Sequence, residues 1–339
     1  YCYVQRDLNG GQGVTSETGK VVLWGDGSWV KVAAANDPMI IGNRAKRYER
    51  MLALVDLSDE DCYFFDIFRV KGGKDHMKLT RGYICDLETN VPDFVPLTTD
   101  NDPYGMFFIN DRNPEENFFY TIDDQFKLIR DTYLGQNVPE TFRADFKYNG
   151  KYNKVQGWPE DKNHSLQYFD LTNNSDVIRF TSFYDTYGLA MTLDKEFKVE
   201  RGQYPEEMLP GIAINRKKDS GQELESIFIG ILEPGENGEY QVKTAKRLRV
   251  EGENDLNKGA AAFEVETKAG KDLILAADVE SKGIMAQKEW GVKTDAALCI
   301  LRKSTNGGCK LTMLQGSYFE MNGKTIRMDR DADVFETEL

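Results

Sequence analysis

Residues 62–70, CYFFDIFRV, leave little choice of local structure, because aromatic and β-branched side chains dominate a run too short for a helix of its own. Period-two alternation puts Phe64, Asp66, Phe68 and Val70 on one face and Tyr63, Phe65, Ile67 and Arg69 on the other. Asp66 therefore sits among aromatics. An ionised carboxylate in such surroundings is costly unless a cation, a metal or several hydrogen-bond donors compensate it. Arg69, Arg81 or a backbone amide would make it a structural group; otherwise it is a metal or active-site carboxylate. Gly72 and Gly73 follow, then a basic return strand that carries His76, Lys78 and Arg81 and ends near Tyr83.

The rest of the chain repeats the strand pattern. Residues 21–24 and 29–32 flank the turn Gly25-Asp26-Gly27-Ser28 and predict a hairpin. Residues 47–55 predict an antiparallel partner for residues 62–70. Further strands are expected at 177–184, 189–193, 195–201, 226–232 and 240–250, and later at 260–267, 273–279, 296–303, 310–314 and 325–328. Asn306-Gly307 marks a tight hairpin between two of the last group. One helix is expected across residues 121–135: Thr121 to Asp124 form a capping arrangement, Phe126, Ile129 and Tyr133 share a face, and Gly135 stops it. Residues 87–116, polar and rich in Pro and Asp, predict a long loop. The two prolines of RGQYPEEMLPG mark a boundary, so the expected organisation is a main β-sandwich over residues 1–210 and a C-terminal β layer over 211–339. The fold class is all-β: a large antiparallel sandwich, a smaller C-terminal layer, and one or two short helices at most.

Charge and composition narrow the partners. A net charge of −13 disfavours nucleic acid and other polyanions over the surface as a whole. The basic groupings at Lys71, Lys74, Lys78 and Arg81, at Arg216 to Lys218, and at Lys246, Arg247 and Arg249 are read as solvated faces. No apolar run reaches the roughly 20 residues needed to span a bilayer. The first residues, YCYVQRDLNGG, lack the basic and apolar regions of a signal peptide, and a first residue other than Met suggests an excised or processed portion. The cysteines, at 2, 62, 85, 299 and 309, form no framework and no Cys-x-x-Cys pair. The chain carries no phosphate loop, no Gly-x-Ser-x-Gly elbow and no Ser-His-Asp constellation. The alternating Asp329, Asp331 and Asp333 lack the Gly and distal Glu of a calcium loop and read as a solvated acidic tail.

Three blocks in order, RYERMLALVD at 47–56, YFFDIFRVKGG at 63–73 and LESIFIGILEP at 224–234, resemble the C-terminal β-sandwich region of heparinase II/III-like, alginate-lyase-like polysaccharide lyases. The similarity runs unevenly over about residues 1–330. In that family an α/α toroid supplies much of the catalytic apparatus, and this chain encodes none. Family members carry a His-Asn-Thr strand, an Asp in the block matching YFFDIFRV, and a Phe-His pair after Gly-Gly, with His, Asp and His on a metal. Here Asp66 is kept at the metal-ligand position, Tyr1 or Cys2 stands for the first His, and Thr80-Arg81 replaces Phe-His; His76 and His164 are the only histidines. The resemblance thus implies no metal and no cofactor, with Arg81 salt-bridged to Asp66 in the metal's stead.

If the chain took part in β-elimination, a base would remove the proton beside a uronate carboxylate while a cation neutralised it. His76, Arg81 and Tyr83 are the catalytic candidates. Lys78, Arg81, Trp24, Trp29 and Trp158 are the candidate substrate contacts, the tryptophans by stacking on sugar rings. The reading preferred on these grounds is a non-catalytic, carbohydrate-associated sandwich, periplasmic or extracellular, whose partner is a polysaccharide. The alternatives are the accessory half of an active lyase completed by a missing domain, and a structural or adhesive sandwich.

Overall fold

A computed structural model describes residues 19–38, 45–82, 85–98, 129–148, 163–182, 209–218, 223–278 and 283–339. Among them the chain forms 23 strands, numbered in chain order, and no α-helix. All four sheets are antiparallel. The central, eight-stranded sheet runs β1 (Lys20–Asp26), β2 (Val30–Asn36), β3 (Arg47–Asp56), β4 (Cys62–Lys71), β13 (Glu225–Glu236), β10 (His164–Asp170), β9 (Phe142–Lys147) and β6 (Asp86–Thr89). A five-stranded sheet runs β5 (Asp75–Arg81), β12 (Leu209–Lys217), β11 (Asp176–Ser182), β8 (Ile129–Gln136) and β7 (Asp93–Pro96). A six-stranded sheet runs β14 (Val242–Leu248), β15 (Ala261–Thr267), β16 (Gly270–Ala276), β19 (Leu298–Ser304), β20 (Cys309–Leu314) and β23 (Phe335–Glu338). The last, four-stranded, runs β17 (Met285–Gln287), β18 (Val292–Thr294), β21 (Gly316–Met321) and β22 (Lys324–Ala332).

The cores between these sheets define the layering. Tyr63, Phe65 and Ile67 of β4 and Ile227, Ile229 and Ile231 of β13 pack against Phe263, Ile274 and Ile300 of the six-stranded sheet. Phe68 and Val70, on the opposite face of β4, pack with Phe228, Phe146 and Tyr168 against Ile212 and Ile214 of the five-stranded sheet. Leu273, Leu275 and Leu301 turn the other way, onto Met285, Val292 and Phe319 of the four-stranded sheet. The result is a stack of four sheets in which β4 and β13 are covered on both faces. Their near-continuous apolar sequences follow from that position. Each fully buried phenylalanine among them stabilises the stack by about 1.5–3 kcal/mol.

Several expectations change at this level. Residues 129–136 are strand, not helix, because β8 pairs with β11 and β7. Its β-branched and aromatic residues Thr132 and Tyr133 fit that pleated setting, while residues 121–128 lie outside the described residues. The long loop expected from residue 87 contains β6 and β7. The strands expected at 189–193 and 195–201 lie outside the described residues. β5 does not return along β4: Gly72 and Gly73, at φ 119° and 68°, turn the chain into the neighbouring sheet, where β5 pairs with β12. Leu224 fixes this turn, its carbonyl accepting from Gly72 N at 3.0 Å and its N–H donating to Gly73 O at 2.9 Å. Pro210 lies within β12, opposite Thr181 of β11, and β13 lies at the middle of the central sheet. The chain passes into the six-stranded sheet only with β14, some thirty residues after the expected boundary. No helix among the described residues is long and apolar enough to cross a membrane.

Candidate functional site

Register aligns one row of residues across the central sheet: Trp24, Ala33, Leu52, Asp66, Gly230, Asp170 and Phe142 are successive cross-strand partners on β1, β2, β3, β4, β13, β10 and β9. Directly opposed residues of antiparallel strands share a face. The five-stranded sheet covers this face from β4 onward and leaves the β1–β3 part open. Asp66 stands at the rim between the two.

Asp66 is buried and doubly neutralised. Arg50 donates from Nε and Nη2 to Oδ1 and Oδ2, each at 2.9 Å, in a planar two-point pairing. Lys78 reaches across from β5 and places Nζ 3.0 Å from Oδ2. Burial pushes the Asp66 carboxyl up, but Lys78 and Arg50 together outweigh it and hold the group below its ordinary value. The Lys78 ammonium also lies 5.6 Å from the centre of the Tyr168 ring. The Tyr168 hydroxyl donates to Asp170, whose other oxygen accepts the Thr172 N–H at 2.9 Å. Gly230, between the two aspartates in the row, makes this crowding feasible, since a Cβ there would sit 2.8 Å from both Lys78 Nζ and Tyr168 Cε2.

Arg81 is not the cation on Asp66. On β5, His76, Lys78 and Thr80 point toward the central sheet, whereas Met77, Leu79 and Arg81 point away from it. The Arg81 guanidinium lies 5.9 Å from the ring centre of Phe180, on the far side of the five-stranded sheet. Lys78, expected as a substrate contact, is buried and engaged with Asp66.

His76 is likewise committed to structure. Its Nε2 contacts the Gly72 carbonyl, a pure acceptor, so Nε2 carries the proton and Nδ1 accepts from Ser226 Oγ at 2.8 Å. Arg216 Nη1 donates to the same hydroxyl oxygen at 2.7 Å. Burial, with the nearby Arg216 charge adding to it, lowers the His76 pKa to about 4 despite the Gly72 bond. It is neutral at pH 7 and neither nitrogen is open to a substrate. The unfolded chain takes up the histidine proton near pH 6.5, before the folded one does. Stability is therefore complete above pH 6.5 and is expected to fall by about 3 kcal/mol between pH 6.5 and pH 4. Urea denaturation across that interval checks this, and His76→Gln should flatten the dependence.

Trp24 is 66% exposed and shares its open face with Val21, Leu52 and Phe64, all exposed. Trp29, by contrast, is 4% exposed, with Arg302 Cζ 4.5 Å and Lys310 Nζ 5.0 Å from its ring centre, so it cannot stack on a ligand. Tyr83 and Trp158 lie outside the described residues. No group of three or more His, Cys, Asp or Glu side chains that could hold a metal occurs among the described residues. Cys62, Cys85, Cys299 and Cys309 are free thiols.

Two buried ionic groups between the central and six-stranded sheets escaped the sequence reading. Asp272 accepts from Arg302 Nε and Nη2, each at 2.7 Å, and from the Tyr63 hydroxyl at 2.8 Å. Farther along, Arg47 pairs with Glu49 at 2.9 Å and with Asp278 at 2.8 Å, and Arg69 lies 3.6 Å from Glu49. Charged residues at alternate positions in an apolar strand, as in Arg47-Tyr48-Glu49, were the available signal. No protein-family model matches the chain, and no curated protein matches it.

Proposed function

We propose that this chain is a non-catalytic, carbohydrate-associated β-sandwich, akin to the sheet region that accompanies the toroid in heparinase II/III-like lyases, with a polysaccharide as its partner outside the cytoplasm. The observation that carries this reading is the open half of the central sheet. There Trp24, Leu52 and Phe64 form an exposed apolar strip ending at the partly exposed Arg50. Large apolar side chains gathered on one exposed face mark contact surfaces more often than chance does. A flat indole on an apolar strip that ends at a guanidinium suits a sugar, whose C–H face stacks on the ring while its hydroxyls reach polar groups farther along. The absence of catalysis is argued from Asp66 and His76, whose proton-carrying atoms are engaged by Arg50, Lys78, Gly72 and Ser226.

Binding to heparan sulfate, chondroitin sulfate and alginate, measured by glycan array and calorimetry, is expected without any rise in ultraviolet absorbance from unsaturated uronate. Trp24→Ala should weaken binding by about tenfold or more, equivalent to roughly 1.4 kcal/mol. Its stability should change by less than about 0.5 kcal/mol, because the side chain is exposed. No binding above background would overturn the carbohydrate association, and a rise in absorbance would overturn the non-catalytic role.

A further inference from the structure

Beneath the connection from β10 to β11 lies a cavity of about 150 Å³, lined on its polar side by Asp170, Thr172, Asn173, Asn174, Ser175 and Arg247. Its other wall is apolar, built from Phe142, Val177 and Leu256. It sits toward the β9 end of the central sheet, far in strand order from Trp24. We infer that this cavity binds a small organic carboxylate, with Arg247 as the counter-charge.

Arg247 is more than nine-tenths buried on β14. Only Nη2 has a protein partner, the Leu256 carbonyl at 2.7 Å, while Nε and Nη1 have none. A buried guanidinium with two unpaired nitrogens carries a desolvation cost that a neutral acceptor offsets only in part. Asp170, in the same lining, makes no ion pair with Arg247 among the described contacts; it accepts from two neutral donors, Thr172 N and the Tyr168 hydroxyl, keeps its charge and opposes an incoming anion. Glu49 and Asp278 are taken up by Arg47 and Arg69, so neither pairs with Arg247. Burial, with the nearby Arg69 charge adding to it, lowers the Arg247 pKa to about 9.

The mixed lining selects the class of anion. A bare halide would contact the cation but leave the apolar wall unfilled. A carboxylate on a short carbon skeleton supplies the negative charge, presents acceptors to the asparagine amides and hydroxyls, and covers Phe142 and Val177. Exposed Glu140 also lines the cavity and opposes an incoming anion.

Calorimetric titration of the full chain with sodium acetate and sodium propionate, with sodium chloride as the matched salt, tests the site. The organic acids are expected to bind and chloride is not. Arg247→Met should abolish binding while preserving the far-ultraviolet circular dichroism of the fold, since apolar replacement of a buried unpaired cation is tolerated. Glu140→Gln, a surface change, should tighten acetate binding by about twofold, as removal of one partly screened like charge does. Equal binding of chloride, undiminished binding by Arg247→Met, or no response to Glu140→Gln would each overturn the assignment. Trp24→Ala should leave these titrations unchanged, so this site and the proposed glycan face stand or fall separately.

Discussion

Replacing Asp272 with alanine is expected to lower the unfolding free energy by about 3–5 kcal/mol, the usual cost of stranding a buried ionic partner. Asp272 is fully buried on β16 and is the shared acceptor for Arg302 and Tyr63. Arg302 in turn donates from Nη1 to the Asp56 carbonyl at 2.8 Å and covers the Trp29 ring. Losing the carboxylate leaves a guanidinium and a phenol between two sheets with no acid to receive them. Urea denaturation monitored by tryptophan fluorescence reads the change, and Trp29 lies within the affected cluster. The double replacement Asp272→Leu with Arg302→Leu should recover much of the loss, because removing both charges removes the desolvation cost as well. A single-variant loss below about 1 kcal/mol, the range of exposed pairs, would show that this cluster is not a tie between the sheets.

The second large effect is expected at Asp66. Asp66→Ala leaves the buried Lys78 ammonium with the Tyr168 ring as its remaining favourable contact, and a loss of about 3–5 kcal/mol follows. Combining it with Lys78→Met should restore a large share, whereas combining it with Arg50→Met should restore less, because Arg50 is 37% exposed and water already compensates it. Chemical denaturation of the single and double variants gives the coupling directly. Equal rescue by the two partners would mean that Lys78 is hydrated in the folded protein.

How far the sequence revealed these features depends on how local each was. The β1–β2 hairpin, the β3–β4 pair and the hairpin closed by Gly307, at φ 91°, were legible because alternation and turn residues fall within a few positions. The helix expected to end at Gly135 gives way to strand over residues 129–135 because spacing on a short segment serves both periods, and pairing with β11 decided between them there. β9 and β10 went unread, as did the place of β12, since these strands earn their identity from neighbours distant in the chain. At the site, burial of Asp66 beside a cation was readable, but the choice of cation was not. Lys78 and Arg81 stand three residues apart on β5 and thus face opposite ways, and which face meets Asp66 depends on β5 leaving the β4 sheet. Arg50 owes its role to the β3–β4 register, which places it two pairs from the Leu52–Asp66 pair and so on the same face.

The position of β13 has a bearing on how the molecule is made. It lies between β4 and β10, joined to both along most of their length, although residues 72–163 separate those strands in the chain. A ribosome releasing this polypeptide from its N-terminus must therefore deliver residue 236 before the middle of the widest layer can zip shut. Until then β4 exposes a ready hydrogen-bonding edge, and shortened products ending ahead of Glu225 would be candidates for chaperone capture or clumping.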